Sequence, residues 1–293
     1  MTAGGKTVAG RLHVDGKTFV RHRRILPGFG LSLGITLTYV ALIVVLPIGA
    51  LVFKAASLGP DDYWRIVTSG RALASYRVTV LSAAAATAFN LVFGLALAWV
   101  LVRYEFPGKR LVDAMVDLPF ALPTAVAGIA LTTVFASNGW FGSALSVLNI
   151  KVVYTPLGIM VAMAFTSLPF IVRTVQPVLE DLDPALEEAA QSLGGSDATI
   201  FRSVILPLLT PALLAGTSLS FARSLGEFGA VIFIAGNQPF QTEITALLAF
   251  IRLEEYDYPA AAAIASVLLL TAFVMLAVTN FLQARALRYT ARS

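Results

Sequence analysis

The chain has 293 residues, of which 57% are hydrophobic and 13% are charged, and it contains no cysteine. Soluble domains carry about 25% charged residues, so this composition excludes an ordinary soluble domain and predicts an integral membrane protein. The formal charge of +4 comes from lysines and arginines that flank apolar runs; we therefore expect membrane lipid, and no nucleic acid, as a partner.

The chain opens with a polar, basic tail over residues 1–27. It contains two Gly-Lys-Thr triplets, Gly5–Thr7 and Gly16–Thr18. A phosphate-binding loop needs another glycine five positions before the triplet's own, but Arg11 stands there for the second triplet, and the first lies too close to the terminus. We therefore expect this chain to bind no ATP and to carry no cofactor of its own.

Six apolar runs follow. A bilayer core of about 30 Å needs about 20 apolar helical residues. Pro47 predicts a kink in the first run, and Pro119 with Pro123 predicts either a bend at a transport path or a simple kink in the third. The predicted fold class is an all-α integral membrane bundle of six transmembrane helices. The runs are Gly28–Phe53, Val78–Val102, Leu118–Ala136, Val152–Val172, Leu208–Ala235 and Pro259–Ala284.

A polar segment, Leu182–Pro207, separates the fourth and fifth runs. Asp183, followed by proline, is typical of a helix start, because its carboxylate caps free N–H groups and proline tolerates the first helical position. A short helix is predicted over Ala185–Leu193, ended by the pair Gly194–Gly195. Either residue of the pair Ser196–Asp197 can cap a second helix. The segment therefore predicts a helix, a sharp turn and a helix.

The same segment carries a spaced motif: Glu188-Ala189-Ala190, three residues, Gly194, nine residues, then Val204–Pro207. This spacing resembles the EAA loop of the permeases of ABC importers. In that family the loop is a cytoplasmic coupling helix that fits a groove on a separate ATPase subunit. The resemblance implies an ATPase-coupling role for a set of six residues, namely Glu188, Ala189, Ala190, Gly194, Leu206 and Pro207.

Further stretches, spread over residues 75–282, resemble the sulfate/thiosulfate permeases among the type I ABC importers. The stretches are Arg103–Gly108, Val116–Leu131, Leu168–Leu179, Phe221–Asn237 and Tyr256–Ala260. The resemblance implies a six-helix type I ABC importer permease bundle. Its implied partners are an ABC ATPase dimer that binds the ATP, a second related permease in a heterodimer, and an extracytoplasmic sulfate/thiosulfate-binding protein. Molybdate and tungstate permeases share parts of these stretches, so other oxyanions stay open as cargo.

This resemblance also divides the chain into regions. We expect a basic tail over 1–27, a first transmembrane helix over 28–53, a permease domain over 75–282 that contains the coupling loop 182–207, and a short tail over 285–293. A passive channel or carrier is the remaining alternative, but such a protein would not need a docking helix.

Orientation follows from the distribution of lysine and arginine. If the N-terminus is cytoplasmic, that side holds fourteen of these residues and the opposite side six, with Arg223 inside the membrane. Because cytoplasmic loops carry the excess of positive charge, both termini and the polar segment are predicted to face the cytoplasm. The predicted location is the cytoplasmic membrane of a bacterium, crossed several times.

Two charges, Arg223 and Glu227, lie four residues apart in the fifth run and hence on one helix face. An isolated charge inside a span costs about 2.5–3.5 kcal/mol on insertion scales, so something must pair or hydrate them. One interpretation is that Arg223 lines an anion path and Glu227 tunes it. The other, which we favour, is a structural ion pair between helices, because a neighbouring carboxylate cancels the field that an oxyanion needs.

Hydroxyl side chains in the same run have two interpretations as well. They could donate hydrogen bonds to a desolvated anion, or they could serve helix packing in lipid, which we favour because small polar residues are common there. They are Thr217, Ser218, Ser220 and Ser224.

Two other patterns remain. Apolar residues repeat with helical spacing over Ile244–Ile251 and predict an amphipathic helix on the outer side, which lies at the interface, folds back as part of a gate or packs on the bundle. Gly30–Gly34 fits the nucleophile elbow G-x-S-x-G, but the two histidines, His13 and His22, lie in the tail and supply no base. The sequence therefore predicts a non-catalytic transport subunit without a metal site.

Overall fold

The structure is a computed structural model that describes residues 29–290, with side chains described as far as Phe281. The predicted tail over 1–27 lies outside these residues. Within them the chain is all-α and has no strand. In chain order the helices are α1 (Phe29–Val40), α2 (Leu46–Ala56), α3 (Pro60–Val67), α4 (Gly70–Arg103), α5 (Lys109–Val116), α6 (Leu118–Ala121), α7 (Thr124–Phe135), α8 (Trp140–Val147), α9 (Pro156–Glu180), α10 (Pro184–Ser192), α11 (Asp197–Ile200), α12 (Leu206–Leu225), α13 (Gly229–Ile234), α14 (Thr245–Glu254) and α15 (Tyr258–Thr290), with π-turns at Ala41–Val45 and Phe201–Ile205.

Five helical stretches among the described residues are long and apolar enough to cross a membrane. A sixth crossing results if α7 and α8, which are bent by 43° at a short break, count as one span. The predicted six-span all-α class is therefore confirmed, although the ends of the spans differ from the apolar runs. The five stretches are Phe29–Ala56, Gly70–Arg103, Pro156–Glu180, Asp197–Leu225 and Tyr258–Phe281.

The first span forms a unit by itself up to Ala50. Pro47 does not break it, because the helix widens into the π-turn just before the proline, where the Leu46 N–H donates to the Ala41 carbonyl. A widened turn of this kind lets the helix continue although proline has no N–H to donate.

The predicted third run, Leu118–Ala136, is wrong as one continuous helix. Leu122 takes extended backbone angles, as expected for a residue before proline, so the helix stops at Ala121 and restarts at Thr124 as α7. The proline therefore marks a true break in the helix.

The predicted fifth run, Leu208–Ala235, is also broken. Helix α12 ends at Leu225, and α13 restarts at Gly229. Close packing joins the two broken spans, because a β-carbon on Gly128 of α7 would meet the Ala230 carbonyl oxygen of α13 at 2.5 Å. The breaks in the third and fifth spans lie beside each other, because a β-carbon on Gly229, at the start of α13, would overlap Thr124, at the start of α7.

Helix α9 is the centre of the second unit and packs on both α4 and α12. Ile171 lies where the three helices approach most closely: a β-carbon on Gly94 would meet its side chain at 3.1 Å, and one on Gly216 would meet its Cα at 3.1 Å. Small residues permit such approach, which stabilises helix pairs in lipid through van der Waals contact. One buried apolar cluster on α9 runs toward α13 and α14, and a second runs toward α10 and α11.

Polar side chains tie the same three spans together midway along α9. The Asn90 amide of α4 donates to the Ala164 carbonyl at 3.0 Å and to Ser167 Oγ at 2.9 Å, and Ser224 Oγ of α12 donates to Ser167 Oγ at 3.1 Å. Hydrogen bonds between spans contribute about 0.6 kcal/mol each on average. These hydrogen bonds fix how the three spans are positioned along one another.

An arginine on α9 holds the helix that precedes the broken third span. Arg173 donates to both carboxylate oxygens of Asp117, at 2.8 and 2.7 Å, and to Asp113 Oδ1 at 2.6 Å. The guanidinium therefore fastens α5 and the start of α6 to α9.

The amphipathic helix predicted before Arg252 is α14. Its apolar face is buried in the protein, since Ile244, Leu247 and Leu248 are almost inaccessible. This burial agrees with the interpretation as a helix packed on the bundle. A position at the membrane interface or a part in a gate stays a prediction. The preceding loop is held by Arg71, whose guanidinium donates to both oxygens of the buried Glu243 carboxylate at 2.8 and 2.6 Å.

Candidate functional site

The polar segment between α9 and α12 folds as helix, turn and helix, as predicted. The Asp183 carboxylate accepts a hydrogen bond from the Ala185 N–H at 2.9 Å and so caps α10. The helix ends at a turn in which the Gly194 N–H donates to the Gln191 carbonyl at 2.8 Å. Gly194 has a φ of +82°, in the left-handed region where a side chain is strained.

The second half of the segment returns the chain to the bundle. Ser196 Oγ accepts from the Thr199 N–H at 3.4 Å and caps α11, so serine takes the role that the sequence left open between Ser196 and Asp197. The π-turn follows, and Ile205 at its end is buried in the cluster around α9. Leu206 is half-buried and Pro207 is exposed where α12 begins.

Helix α10 buries none of its residues. Glu188, Ala189 and Gly194 are exposed, and Ala190 is half-buried. Two leucines of the segment also face outward: Leu186 is 47% and Leu193 is 89% exposed. The segment thus presents several carboxylates, Glu188 among them, with small side chains and exposed apolar surface at one end of the bundle.

A contact of this segment that the sequence analysis missed is the ion pair between Glu187 of α10 and Arg103, the last residue of α4. Arg103 was noted only as part of a motif, and no local spacing signals the pair, because the two residues lie 84 positions apart.

Arg223 and Glu227 form an ion pair, with 2.8 Å between Nη2 and Oε2. The pair lies within one broken span, so the predicted pairing between helices is wrong, as is the expectation that both lie on one helix. Glu227 is 1% exposed and lies in the break after α12, where its Oε1 accepts from the Ala230 N–H at 2.9 Å and so supports the start of α13. Arg223 keeps 30% of its side chain accessible.

The hydroxyls of the fifth span lie mainly inside the bundle. Ser220 and Ser224 are fully buried. Ser224 joins the polar contact with Ser167, and Ser218 donates to the Leu214 carbonyl of its own helix. Arg223 precedes Ser224 on α12 and so lies next to the hydrogen-bonded Ser224–Ser167 pair. The candidate residues of α10 lie elsewhere, at one end of the bundle.

Comparison with solved structures defines the class of protein. A bacterial ABC transporter involved in the import of the acidic polysaccharide alginate matches with a TM-score of 0.72 and 17% identity, over 88% of this chain and 96% of that one. A methionine ABC transporter in inward-facing conformations matches with a TM-score of 0.52 and 15% identity, over 78% of this chain and 99% of that one. The fold is that of the membrane-spanning permeases of type I ABC importers.

Sequence comparison gives the family. The family described as "Binding-protein-dependent transport system inner membrane component" matches residues 90–287, and the chain belongs to it. The sulfate transport system permease proteins CysT of Salmonella typhimurium and Escherichia coli K12 are each 58% identical over 266 residues, which are 91% of this chain and 96% of each relative. The protein of the same name from Synechocystis is 50% identical over 255 residues, or 87% of this chain and 89% of that one.

Proposed function

We propose that this chain is the permease subunit of an ATP-driven importer that moves sulfate, and also thiosulfate, across the cytoplasmic membrane. The observation that carries the coupling is the exposed α10, which lies between two spans and buries none of its residues. The cargo rests on relatives named as sulfate transport permeases at 58% identity. A passive channel would not need α10 as a docking helix.

The partners follow from this role. An ABC ATPase dimer binds and hydrolyses the ATP, so the chain itself holds no cofactor and performs no catalysis. A second related permease completes the membrane pathway, and an extracytoplasmic binding protein delivers the anion. A structural neighbour of this chain is described as a complex with a substrate-bound periplasmic protein, which is consistent with such an assembly.

Orientation supports the same proposal. The excess of lysine and arginine on one side favours a cytoplasmic location for both termini and α10, where an ATPase partner could reach α10. Closure of the ATPase dimer on ATP would then push on the Glu188–Gly194 surface and turn the bundle from inward-open to outward-open. Hydrolysis would reset it.

Uptake of radiolabelled sulfate tests this function. In a strain that lacks its own permease of this type, the chain expressed with its ATPase, second permease and binding protein should restore sulfate uptake, and excess thiosulfate should compete. Glu188→Lys should abolish uptake, because it reverses the exposed charge at the proposed ATPase contact. Uptake of molybdate in place of sulfate would contradict the cargo, whereas uptake unaffected by Glu188→Lys would contradict the coupling role.

We propose that the anion path includes Arg223 and that Ser220, Ser224 and Glu227 lie around this part of the path. Its position supports this: the guanidinium is partly accessible, pairs with Glu227 through Nη2, and lies just before the break in the fifth span. Interrupted spans are common where transporters bind their substrates. Glu227 is occupied by Arg223 and by the α13 backbone, so it holds the arginine in place and does not itself meet the anion.

A paired substitution tests this path. Arg223→Ala alone leaves the buried Glu227 carboxylate unpaired, which costs about 3–5 kcal/mol. A loss of uptake by this variant could therefore reflect a loss of folding. Arg223→Met combined with Glu227→Gln removes both charges and keeps an acceptor for the Ala230 N–H. A hydrogen bond to a charged group contributes about 1.5–3 kcal/mol, so we expect this double variant to lose about tenfold or more in sulfate uptake.

Glu227→Gln alone, which keeps the Arg223 guanidinium but loosens its hold, is the comparison variant and should lose less uptake than the double variant. Assembly with the ATPase is measured for both variants by co-purification. Full uptake by the assembled double variant would end the case for Arg223 in the path.

A further inference from the structure

Helix α10 has one side-chain attachment to another span. Arg103, at the end of α4, forms an ion pair with Glu187 in the first turn of α10. Among the hydrogen bonds and ion pairs of the described side chains, this is the contact that ties α10 to a different helix. Because α10 buries none of its residues, packing adds little to this attachment.

Arg103 is itself held in position from the other side. Its guanidinium lies over the ring of Trp99, with 5.2 Å between Cζ and the ring centroid. A cation in this position is attracted by the ring, by about 0.5–1 kcal/mol where exposed and by more where water is excluded. The Arg103 side chain is therefore fixed between the Trp99 ring and the Glu187 carboxylate.

Trp99 reaches the other half of the segment. Its ring meets Phe201 of the π-turn edge to face, with centroids 5.6 Å apart. The end of α4 thus contacts both halves of the segment: Arg103 pairs with α10, before the Gly194 turn, and Trp99 packs on the π-turn that follows α11. These two contacts hold the whole segment against α4 and do not depend on the linkers to α9 and α12.

The pair is shielded compared with a neighbouring one. The side chains of Arg103 and Glu187 are 26% and 23% exposed, whereas Glu105, which pairs with Lys109 within the same stretch of chain, is 89% exposed. Exposed pairs contribute little because water and salt screen them. The Lys109–Glu105 pair therefore serves as a matched control of the same chemistry without the link to α10.

We propose that Arg103 is a positioning residue that transmits the displacement of α10 to span α4. The proposal rests on the proposed function, because it takes α10 as the ATPase contact. A push on α10 would pass through Glu187 and Arg103 into α4, which packs along α9 and so moves the centre of the bundle. Without the guanidinium, α10 would follow the ATPase while α4 lagged behind.

The ratio of sulfate transported to ATP hydrolysed tests the transmission, measured on the whole importer in proteoliposomes. Allosteric coupling typically corresponds to 5–150-fold, so Arg103→Ala should lower this ratio by about tenfold while the ATPase still co-purifies and hydrolyses ATP. Combining Arg103→Glu with Glu187→Arg restores the opposite charges and should recover part of the ratio. Lys109→Ala should leave the ratio unchanged.

Two outcomes would overturn the proposal. A normal ratio for Arg103→Ala would show that α10 needs no such link, and loss of the ATPase from this variant would make Arg103 a support of docking alone. Failure of the proposed function gives a different result, because the ATPase would then be absent from the unaltered chain as well.

Discussion

Gly194→Asp should abolish both co-purification of the ATPase and sulfate uptake, while the chain still inserts in the membrane. Gly194 has a φ of +82°, and a β-carbon in the left-handed region costs about 1–2 kcal/mol. Its N–H closes the turn on the Gln191 carbonyl, so relief of the strain would open the end of α10. The new carboxylate would also stand on the exposed surface that we propose as the ATPase contact. Co-purification and uptake measure the two losses.

A second left-handed glycine supplies the control for this variant. Gly108 has a φ of +88° and, like Gly194, open space where a β-carbon would lie, but it begins α5 and not the α10 turn. Gly108→Asp should carry a similar backbone strain and still retain the ATPase. Equal loss of the ATPase from both variants would attribute the effect to strain and not to docking.

Gly128→Val should unfold the contact between the two broken spans and leave little functional permease. A β-carbon at Gly128 would lie 2.5 Å from the Ala230 carbonyl oxygen and 2.8 Å from its Cα, so the backbone of α13 must move. Overpacking of this kind typically costs about 1–3 kcal/mol of the free energy of unfolding. We expect a lower melting temperature of the purified chain in detergent, less protein in the membrane and loss of uptake.

Gly226, in the break of the fifth span, is the matched control for this packing effect. A β-carbon there would meet its nearest atoms at 3.9 Å, which is ordinary contact, and its φ is −88°. Gly226→Ala should therefore melt close to the unaltered chain. A normal melting temperature for Gly128→Val would contradict the close approach of α7 and α13.

The sequence predicted the spans and the α10 segment because both leave strong local signals. Apolar runs long enough to cross a bilayer locate the spans, and a capping aspartate with a closing glycine places α10 to within a residue at each end. The break after Leu225 has a weaker signal, because no proline stands there and Gly226 at the helix end has an ordinary negative φ of −88°. At this break the buried Glu227 carboxylate lies outside a helix and contacts the Arg223 guanidinium and the Ala230 N–H.

Contacts between distant residues account for the other differences. Periodicity predicted the apolar face of α14, but periodicity cannot tell whether such a face meets lipid or protein. The Arg103–Glu187 pair needed the fold, because α9 must first bring the end of α4 beside α10. Candidate residues could thus be found in the sequence, whereas their partners could not.

The π-turn at Phe201–Ile205 joins α11 to the start of α12. There the Leu206 N–H bonds to the Phe201 carbonyl, so the turn holds more residues than an α-helical one. Each residue of an α-helix advances the chain by about 100° around its axis. Because the wider turn holds its extra residue within about one revolution, deleting one residue within 201–205 and restoring a regular helix would leave α11 at nearly the same azimuth about α12. A one-residue deletion in the regular part of α12 has no such compensation and would turn the segment by roughly 100° around the helix axis, with every side chain of the docking face intact.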